Sequence, residues 1–303
     1  MKADFHRHVI IWLLVCSAMV FAMVILGGAV RLTGSGLSMV DWRPLMGILP
    51  PLSDAAWEHV FSRYREFPEY QLVNRGMSLD EFRFIFYMEY LHRLLGRLVG
   101  LVFAIPFFYW LVRGLLPEWL RPRLWLALLL GGAQGLMGWY MVKSGLVDDP
   151  HVSQYRLTAH LMLAVFIYYW LLTLAFRLIW SGASIPLFLR LQDRLSQWGI
   201  ALTVLIFAMI GTGGFMAGTR AGFIYNTWPK MGNSWAPEQI WAMVPWWRNL
   251  TENPMGIQFV HRWLAVLVLV AVMSYALWII RRVPLLETRV LAWLLVGVCL
   301  LYT

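Results

Sequence analysis

Residues 84–112 read FIFYMEYLHRLLGRLVGLVFAIPFFYWLV, a long and mainly apolar run. A helix needs about 20 apolar residues to cross a bilayer, and this run exceeds that length. Six more apolar runs occur along the chain, at residues 9–30, 124–142, 157–176, 198–217, 257–280 and 290–302. All except the last are long enough to span a membrane. The sequence therefore predicts an all-α integral membrane protein.

The overall composition agrees with a membrane protein and excludes several other classes. Hydrophobic residues make up 60% of the chain and charged residues only 14%, against roughly 25% charged residues in soluble domains. The net charge of +9 arises from Lys and Arg at the ends of apolar runs, which predicts contact with membrane lipid and no nucleic-acid partner. Both cysteines, Cys16 and Cys299, lie inside apolar runs, so no disulfide framework or zinc cluster is expected.

The placement of Lys and Arg also predicts the orientation. The segments that would be cytoplasmic with a cytoplasmic N-terminus carry basic residues at a higher density than the long loops on the other side. The first run follows Lys2 and Arg7 and lacks a small-residue cleavage site, which indicates a retained helix rather than a signal peptide.

The chain contains an internal repeat. Residues 27–47 resemble residues 213–232 at an offset of 185 or 186, and residues 90–93 (YLHR) resemble residues 259–262 (FVHR) at an offset of 169. Chance similarity between glycine- and tryptophan-rich membrane segments is the alternative. The repeat predicts two tandem four-helix bundles, residues 1–176 and 177–303, in the same orientation. Eight transmembrane helices are then expected, of which about seven fit within 303 residues.

A few ionisable side chains lie within the apolar runs, where charge is costly and often functional. They are Glu89, His92, Arg93, Arg97, His160, His261 and Arg262. The three histidines each lie within about two turns of the outer end of their predicted helices, so they are expected at a similar depth.

Histidines on neighbouring membrane helices are typical of haem binding, because haem iron accepts an axial imidazole on each face. His92 and His160 are the predicted axial pair of the first repeat, and His261 is a predicted ligand in the second. Gly96, Gly100 and Ala164 follow these histidines at helical spacing and would either admit the flat ring or serve helix packing. The three buried arginines would bind haem propionates or lipid phosphates.

Glu89 lies one helical turn from His92, whereas Gln258 occupies the matching position of the second repeat. The carboxylate would act as a proton donor, as a base or as a stabiliser of developing positive charge, or it would form a salt bridge to Arg93 or Arg156. A buried acid in one repeat only suggests one site for chemistry and one for electrons.

These residues resemble the haem A synthase family. The motifs that carry the resemblance are residues 31–38 (RLTGSGLS), 42–44 (WRP), 89–93 (EYLHR), 156–161 (RLTAHL), 226–231 (NTWPKM) and 261–262 (HR). The resemblance extends over nearly the whole chain. It is strongest to the mitochondrial and alphaproteobacterial branch, since the loops have no cysteine pair.

The resemblance implies oxidation of the C8 methyl group of haem O to the formyl group of haem A by successive hydroxylations. It implies haem O at His92 and His160, Glu89 as the essential acid, and haem b at His261 in the second half. Haem O synthase (protohaem farnesyltransferase) and cytochrome oxidase assembly factors are implied partners, the bacterial inner membrane is the implied location, and the chain is a candidate for homo-oligomer formation.

The family's fourth histidine lies on its eighth helix. The spacing from His92 to His160 is 68, and the same spacing from His261 reaches about position 329, beyond the 303 residues of this chain. The sequence therefore indicates a C-terminal truncation within the second half.

Two other functions fit parts of the pattern. A dihaem b-type membrane cytochrome would pass electrons without substrate chemistry, and it would not require an acid such as Glu89 in one repeat only. A transporter built from parallel repeats would explain the symmetry, but it predicts broken helices that the sequence shows little of beyond Pro106.

Overall fold

The computed structural model describes residues 2–41, 48–147, 150–180, 194–283 and 286–301. Within these ranges the chain forms eight α-helices. They are α1 (Lys2–Leu32), α2 (Asp54–Arg65), α3 (Leu79–Val112), α4 (Arg121–Lys143), α5 (Gln154–Trp180), α6 (Arg194–Gly218), α7 (Pro254–Arg282) and α8 (Leu286–Leu301). The β-structure in the described part is limited to an isolated bridge between Met231 and Ser234.

Six of these helices, α1 and α3 to α7, are long and apolar enough to cross a membrane. The prediction of an all-α membrane protein is therefore confirmed. Helix α3 begins at Leu79, five residues before its apolar run, because Ser78 and Glu81 form a reciprocal capping box at its start. α8 is shorter than the spanning helices, as its short apolar run indicates.

The chain divides into two compact units, Met1–Ala183 and Ser184–Thr303. In the first unit, α1 packs against α3 and α5, and α4 packs against α5. Its main core lies towards one end of the bundle, around Leu13, Phe107, Leu124 and Leu174. In lipid, close van der Waals packing of this kind holds helices together, because burial from water contributes little there.

The first long loop, residues 33–78, contains α2, which packs on the start of α3. Trp57 of α2 lies edge-on to Phe86 of α3, with ring centroids 5.1 Å apart. Phe61 of the same helix stacks on Phe82 at 4.9 Å. This aromatic layer lies at the end of the bundle away from the main core, next to the part of α3 that carries the predicted site.

The second unit contains α6, α7 and α8, and α7 packs on α8 through Ala276, Ile280, Ala292 and Val296. The second long loop, residues 219–253, is held by amide side chains. Asn249 Nδ2 donates to the carbonyl oxygens of Met243 and Trp246 at 2.8 and 2.9 Å. Asn253 Nδ2 donates to Gln239 O at 2.7 Å.

The first turn of helix α7 packs closely against this loop at Gly256. A Cβ atom at Gly256 would come within 2.4 Å of the Asn249 carbonyl oxygen, so glycine is required for this close approach.

Candidate haem site

Each of the three predicted histidine ligands faces a glycine on a neighbouring helix. A Cβ atom at Gly27 would lie 3.2 Å from His92 Nε2, and one at Gly213 would lie 3.3 Å from His261 Cε1. Gly27 and Gly213 are equivalent positions of the internal repeat. A larger residue at either position would press on the imidazole ring, so the sequence leaves the ring room.

His160 follows the same pattern with Gly138 of α4, where a Cβ atom would lie 3.0 Å from His160 Cε1. Gly27, Gly138 and Gly213 all lie five residues before the last residue of their helices, which end at Leu32, Lys143 and Gly218. Each histidine therefore contacts its neighbouring helix at the same distance from the end of that helix.

In the first unit, His92 lies on α3 and His160 on α5, and both helices pack against α1. Gln134 of α4 adjoins His160, and its Nε2 donates to the His160 carbonyl oxygen at 3.0 Å. The His160 Nδ1 atom and Gln134 Oε1 are both buried without a hydrogen-bond partner among the described residues. Buried polar atoms without a partner are uncommon in folded proteins.

Glu89 is buried, with 3% of its surface exposed, and it is held by three donors. Its Oε2 accepts hydrogen bonds from Ser38 Oγ at 2.7 Å and from the Met39 backbone N–H at 2.8 Å. Its Oε1 accepts from Arg93 Nη2 at 2.5 Å. The Met39 N–H and the Arg93 guanidinium can only donate, so each oxygen of the Glu89 carboxylate accepts at least one hydrogen bond.

Arg93 joins Glu89 to the first long loop. Its Nη2 also donates to the Met39 carbonyl oxygen at 3.0 Å. Of the two salt bridges considered from the sequence, Glu89 forms the one to Arg93, whereas Arg156 donates to the Tyr140 carbonyl oxygen at 2.8 Å. Residues 38 and 39 are therefore hydrogen-bonded to a part of α3 that lies about 50 positions later in the sequence.

A cavity of about 190 Å³ opens beside this ion pair. Two cations, Arg93 and Lys143, line it together with Met39 and Trp139. Positive charge beside an aromatic wall suits a ligand that has both carboxylates and a flat ring. Arg97 lies one turn further along α3 and is half-buried.

In the second unit, Gln258 and Arg262 occupy the positions equivalent to Glu89 and Arg93, and they also hold the loop before their helix. Gln258 Nε2 donates to the Tyr225 carbonyl oxygen at 2.9 Å. Arg262 donates to the carbonyl oxygens of Thr227, at 2.7 Å, and Tyr225. The equivalent helix position therefore contacts the preceding loop through a carboxylate in the first unit and through an amide in the second.

His261 has a partner that the sequence reasoning missed. Its Nδ1 atom lies 2.9 Å from Thr212 Oγ1, and that hydroxyl also donates to the Met209 carbonyl oxygen at 2.9 Å. Thr212 directly precedes Gly213, and the repeat places Leu26 at its equivalent position. This difference at an otherwise matching position is the signal that could have identified Thr212 from the sequence.

The predicted small residues near the histidines have different surroundings. A Cβ atom at Gly96 would meet Met23 of α1 at 3.5 Å, which indicates helix packing, whereas one at Gly100 would meet no atom within 4 Å. The motif residues Trp42, Arg43 and Pro44 lie outside the described residues.

Comparison with known proteins decides the family. Residues 10–303 match the family described as Cytochrome oxidase assembly protein, COX15-CtaA. The chain is 50% identical over 268 residues to a protein named Heme A synthase from Rhodospirillum centenum, covering 88% of this chain and 71% of that protein. The chain belongs to the haem A synthase family.

Further relatives carry the same name. One from Nitrosospira multiformis is 49% identical over 87% of this chain and 74% of its own length. Another, from Parvibaculum lavamentivorans, is 47% identical over 89% of this chain and 78% of its own length. No solved structure matches the chain. The family resemblance expected from the sequence motifs is confirmed.

The donor set of this haem A synthase family member fits haem. Within the described residues no group of three or more His, Cys, Asp or Glu side chains is placed to hold a metal ion. A pair of imidazoles on helices that share a neighbour instead suits axial ligation of haem iron, which needs one histidine on each face.

Proposed function

We propose that this chain is an oxidoreductase that converts haem O to haem A. Its substrate would bind in the first unit between His92 and His160, and haem b would bind through His261 in the second. The observation that carries the proposal is the buried carboxylate of Glu89, one turn from His92, with the amide of Gln258 at the equivalent position. His92, His160 and His261 are the proposed iron ligands.

Two hydroxylations, each taking its oxygen from water, would remove four electrons and four protons from the C8 methyl carbon of the substrate, and the resulting diol would lose one water to leave the formyl group. The electrons would pass singly to a one-electron acceptor such as haem b. A negative charge fixed beside the substrate would stabilise positive charge that develops on the methyl carbon. Glu89 suits this role because Ser38 and Met39 hold its carboxylate in one position. Preorganised charge acts strongly in a site that excludes water.

Arg93 has two proposed tasks. It fastens the first long loop over the site, and it lines the cavity that also contains Lys143. The propionates of the substrate would bind these cations, with Arg97 close by on the same helix. Arg262 would serve the propionates of haem b in the second unit, and haem b would supply one-electron redox chemistry.

The test is the variant Glu89→Gln, with retained haem verified from the absorption spectrum. We expect haem A to be absent from the extracted pigment and haem O or a hydroxylated intermediate to accumulate. Glu81→Gln is the matched control, because Glu81 lies on the same helix and its capping role tolerates glutamine. Normal haem A formation by Glu89→Gln would refute the role of Glu89. Pigment from the unaltered protein that contains haem B alone would support the electron-carrying cytochrome instead.

The proposed location is the bacterial inner membrane, with the N-terminus in the cytoplasm. The density of basic residues supports this orientation. The haem O-forming farnesyltransferase and oxidase assembly factors are the proposed partners, because haem O is a lipophilic substrate and haem A is required by the oxidase. Reporter fusions to residue 1 and to the first long loop would test the orientation, and an active periplasmic reporter at residue 1 would refute it.

A further inference from the structure

The hydroxyl of Thr212 makes two contacts that constrain the state of the His261 ring. It lies 2.9 Å from His261 Nδ1 and 2.9 Å from the carbonyl oxygen of Met209, which is one turn earlier on α6. A hydroxyl group has a single hydrogen. Both contacts are hydrogen bonds only when that hydrogen goes to Met209 and the imidazole donates its own Nδ1–H to Thr212. In the neutral imidazole, which is the form that binds a metal, Nε2 then has no hydrogen and presents a lone pair.

We propose that Thr212 is a positioning residue that fixes the tautomer and orientation of His261, so that Nε2 binds haem iron and the haem of the second unit is retained. The inference rests on the proposed function, which places haem b at His261. Thr212 does not touch the iron in this arrangement and acts only through the ring of His261.

The surroundings of the ring support a fixed orientation. Gly213 follows Thr212, and its backbone approaches the ring atom next to Nδ1 so closely that a Cβ atom would lie 3.3 Å from Cε1. The ring is therefore both hydrogen-bonded and enclosed by consecutive residues of α6. Metal-binding histidines commonly donate their second nitrogen in this way, which sets the tautomer and increases the basicity of the ligand.

Among the described residues of the first unit, neither proposed ligand has a hydroxyl partner of this kind. Leu26 stands at the position equivalent to Thr212 and has no hydroxyl group. His160 Nδ1 is buried without a partner among the described residues. A substrate haem must enter and leave, whereas a redox haem must stay. A fixed ligand in the second unit and less constrained ligands in the first match these two requirements.

The experiment measures transfer of haem b to apomyoglobin from the purified protein, expressed from its full reading frame. The test variant is Thr212→Val, which keeps the shape and removes the hydroxyl. Loss of an outer hydrogen bond to a metal ligand costs about 10- to 100-fold in metal affinity. We therefore expect haem b to leave Thr212→Val about 10- to 100-fold faster, and its reduction potential to rise because the imidazole becomes less basic.

Two variants separate this effect from general damage. Thr212→Ser keeps the hydroxyl and should restore both the rate and the potential. Thr203→Val removes a hydroxyl on the same helix that donates only to the Gly199 carbonyl oxygen at 2.8 Å, and it should behave as the unaltered protein. Thr212→Ala is a second hydroxyl-free variant should Thr212→Val fail to accumulate.

His261→Ala distinguishes failure of the inference from failure of the proposed function. Loss of haem b in His261→Ala, together with unchanged transfer and potential in Thr212→Val, would overturn the role of Thr212 and leave the proposed function intact. Full retention of haem b in His261→Ala would overturn the proposed ligand, and the role of Thr212 with it.

Discussion

The two long loops are fastened to their helices at equivalent positions but with opposite hydrogen-bonding chemistry. In the first long loop, the Ser38 hydroxyl and the Met39 N–H donate hydrogen bonds to the carboxylate of Glu89 on α3. In the second long loop, the carbonyl oxygen of Tyr225 accepts a hydrogen bond from the amide of Gln258 on α7. The difference between glutamate and glutamine in the repeat therefore follows from what each loop offers.

The contrast extends through each loop. The first contains buried ionisable groups, with Glu69 Oε2 accepting from Tyr64 Oη at 3.1 Å. The second is held by the amides of Asn249 and Asn253. At the equivalent helix position, the first unit has the buried carboxylate of Glu89 and the second has the buried amide of Gln258. A buried acid in the first unit only is what the proposed chemistry requires.

The largest expected effect comes from Arg93→Leu, which leaves the carboxylate of Glu89 buried without its cation. Removing one partner of a buried ion pair costs about 3 to 5 kcal/mol. The equivalent variant Arg262→Leu leaves no buried charge unpaired. It should lower the free energy of unfolding by about 1 to 3 kcal/mol, because hydrogen bonds to carbonyl oxygens are lost. Unfolding in mixed detergent micelles measures both free energies. Equal losses in the two variants would contradict the distinction between the two fastenings.

A second expected effect concerns pH and the first long loop. Burial raises the pKa of Glu69 from 4.5 to about 7, and the charge of Glu89 adds to the shift. The folded protein therefore holds a proton that the unfolded chain releases, and stability falls as the pH rises through this window. The full difference corresponds to about 3 kcal/mol.

The variant Glu69→Gln tests this dependence. It should raise the melting temperature at pH 8 relative to the unaltered protein, with the difference shrinking towards pH 4. Glu66→Gln, a nearby exposed carboxyl group that pairs with Arg63, is the control and should leave the pH profile unchanged. A Glu69→Gln profile as steep as that of the unaltered protein would show that Glu69 is not the source.

The smallest expected effect sharpens the comparison by exchanging chemistry between the repeats. In Gln258→Glu, a carboxylate would face the Tyr225 carbonyl oxygen, so an acceptor would meet an acceptor. We expect a loss of about 1 to 3 kcal/mol and no haem A formation by the second unit. Gln239→Glu, the same change on an exposed side chain of that loop, should be neutral. A stable Gln258→Glu variant would contradict the loop-polarity explanation.

The sequence predicted much of this arrangement, because hydropathy and the internal repeat are visible without coordinates. The lengths of the apolar runs predicted the six spanning helices. The internal repeat predicted that Glu89 and Gln258 occupy equivalent positions. The roles of Arg93 were left open between propionates, lipid phosphates and a salt bridge. The salt bridge became evident only when the loop at Met39 was seen folded onto α3.

Other features depend on which faces of the helices meet, and hydropathy does not encode this. Gln134 and Gly138 of α4 approach His160 because of the rotation of α4 about its axis, which neighbouring side chains determine. Thr212 was missed for the same reason. Glu69 lies in a short π-helical turn, Glu69–Val73, whose sequence gives no sign of burial.

The central claim is that the two units hold different haems, the substrate in the first and haem b in the second. Pigment analysis of His92→Ala and His261→Ala tests it most directly. We expect His92→Ala to lose haem O and haem A while keeping haem B, and His261→Ala to lose haem B. Haem A still bound and formed in His92→Ala, or the same haem lost from both variants, would contradict the assignment.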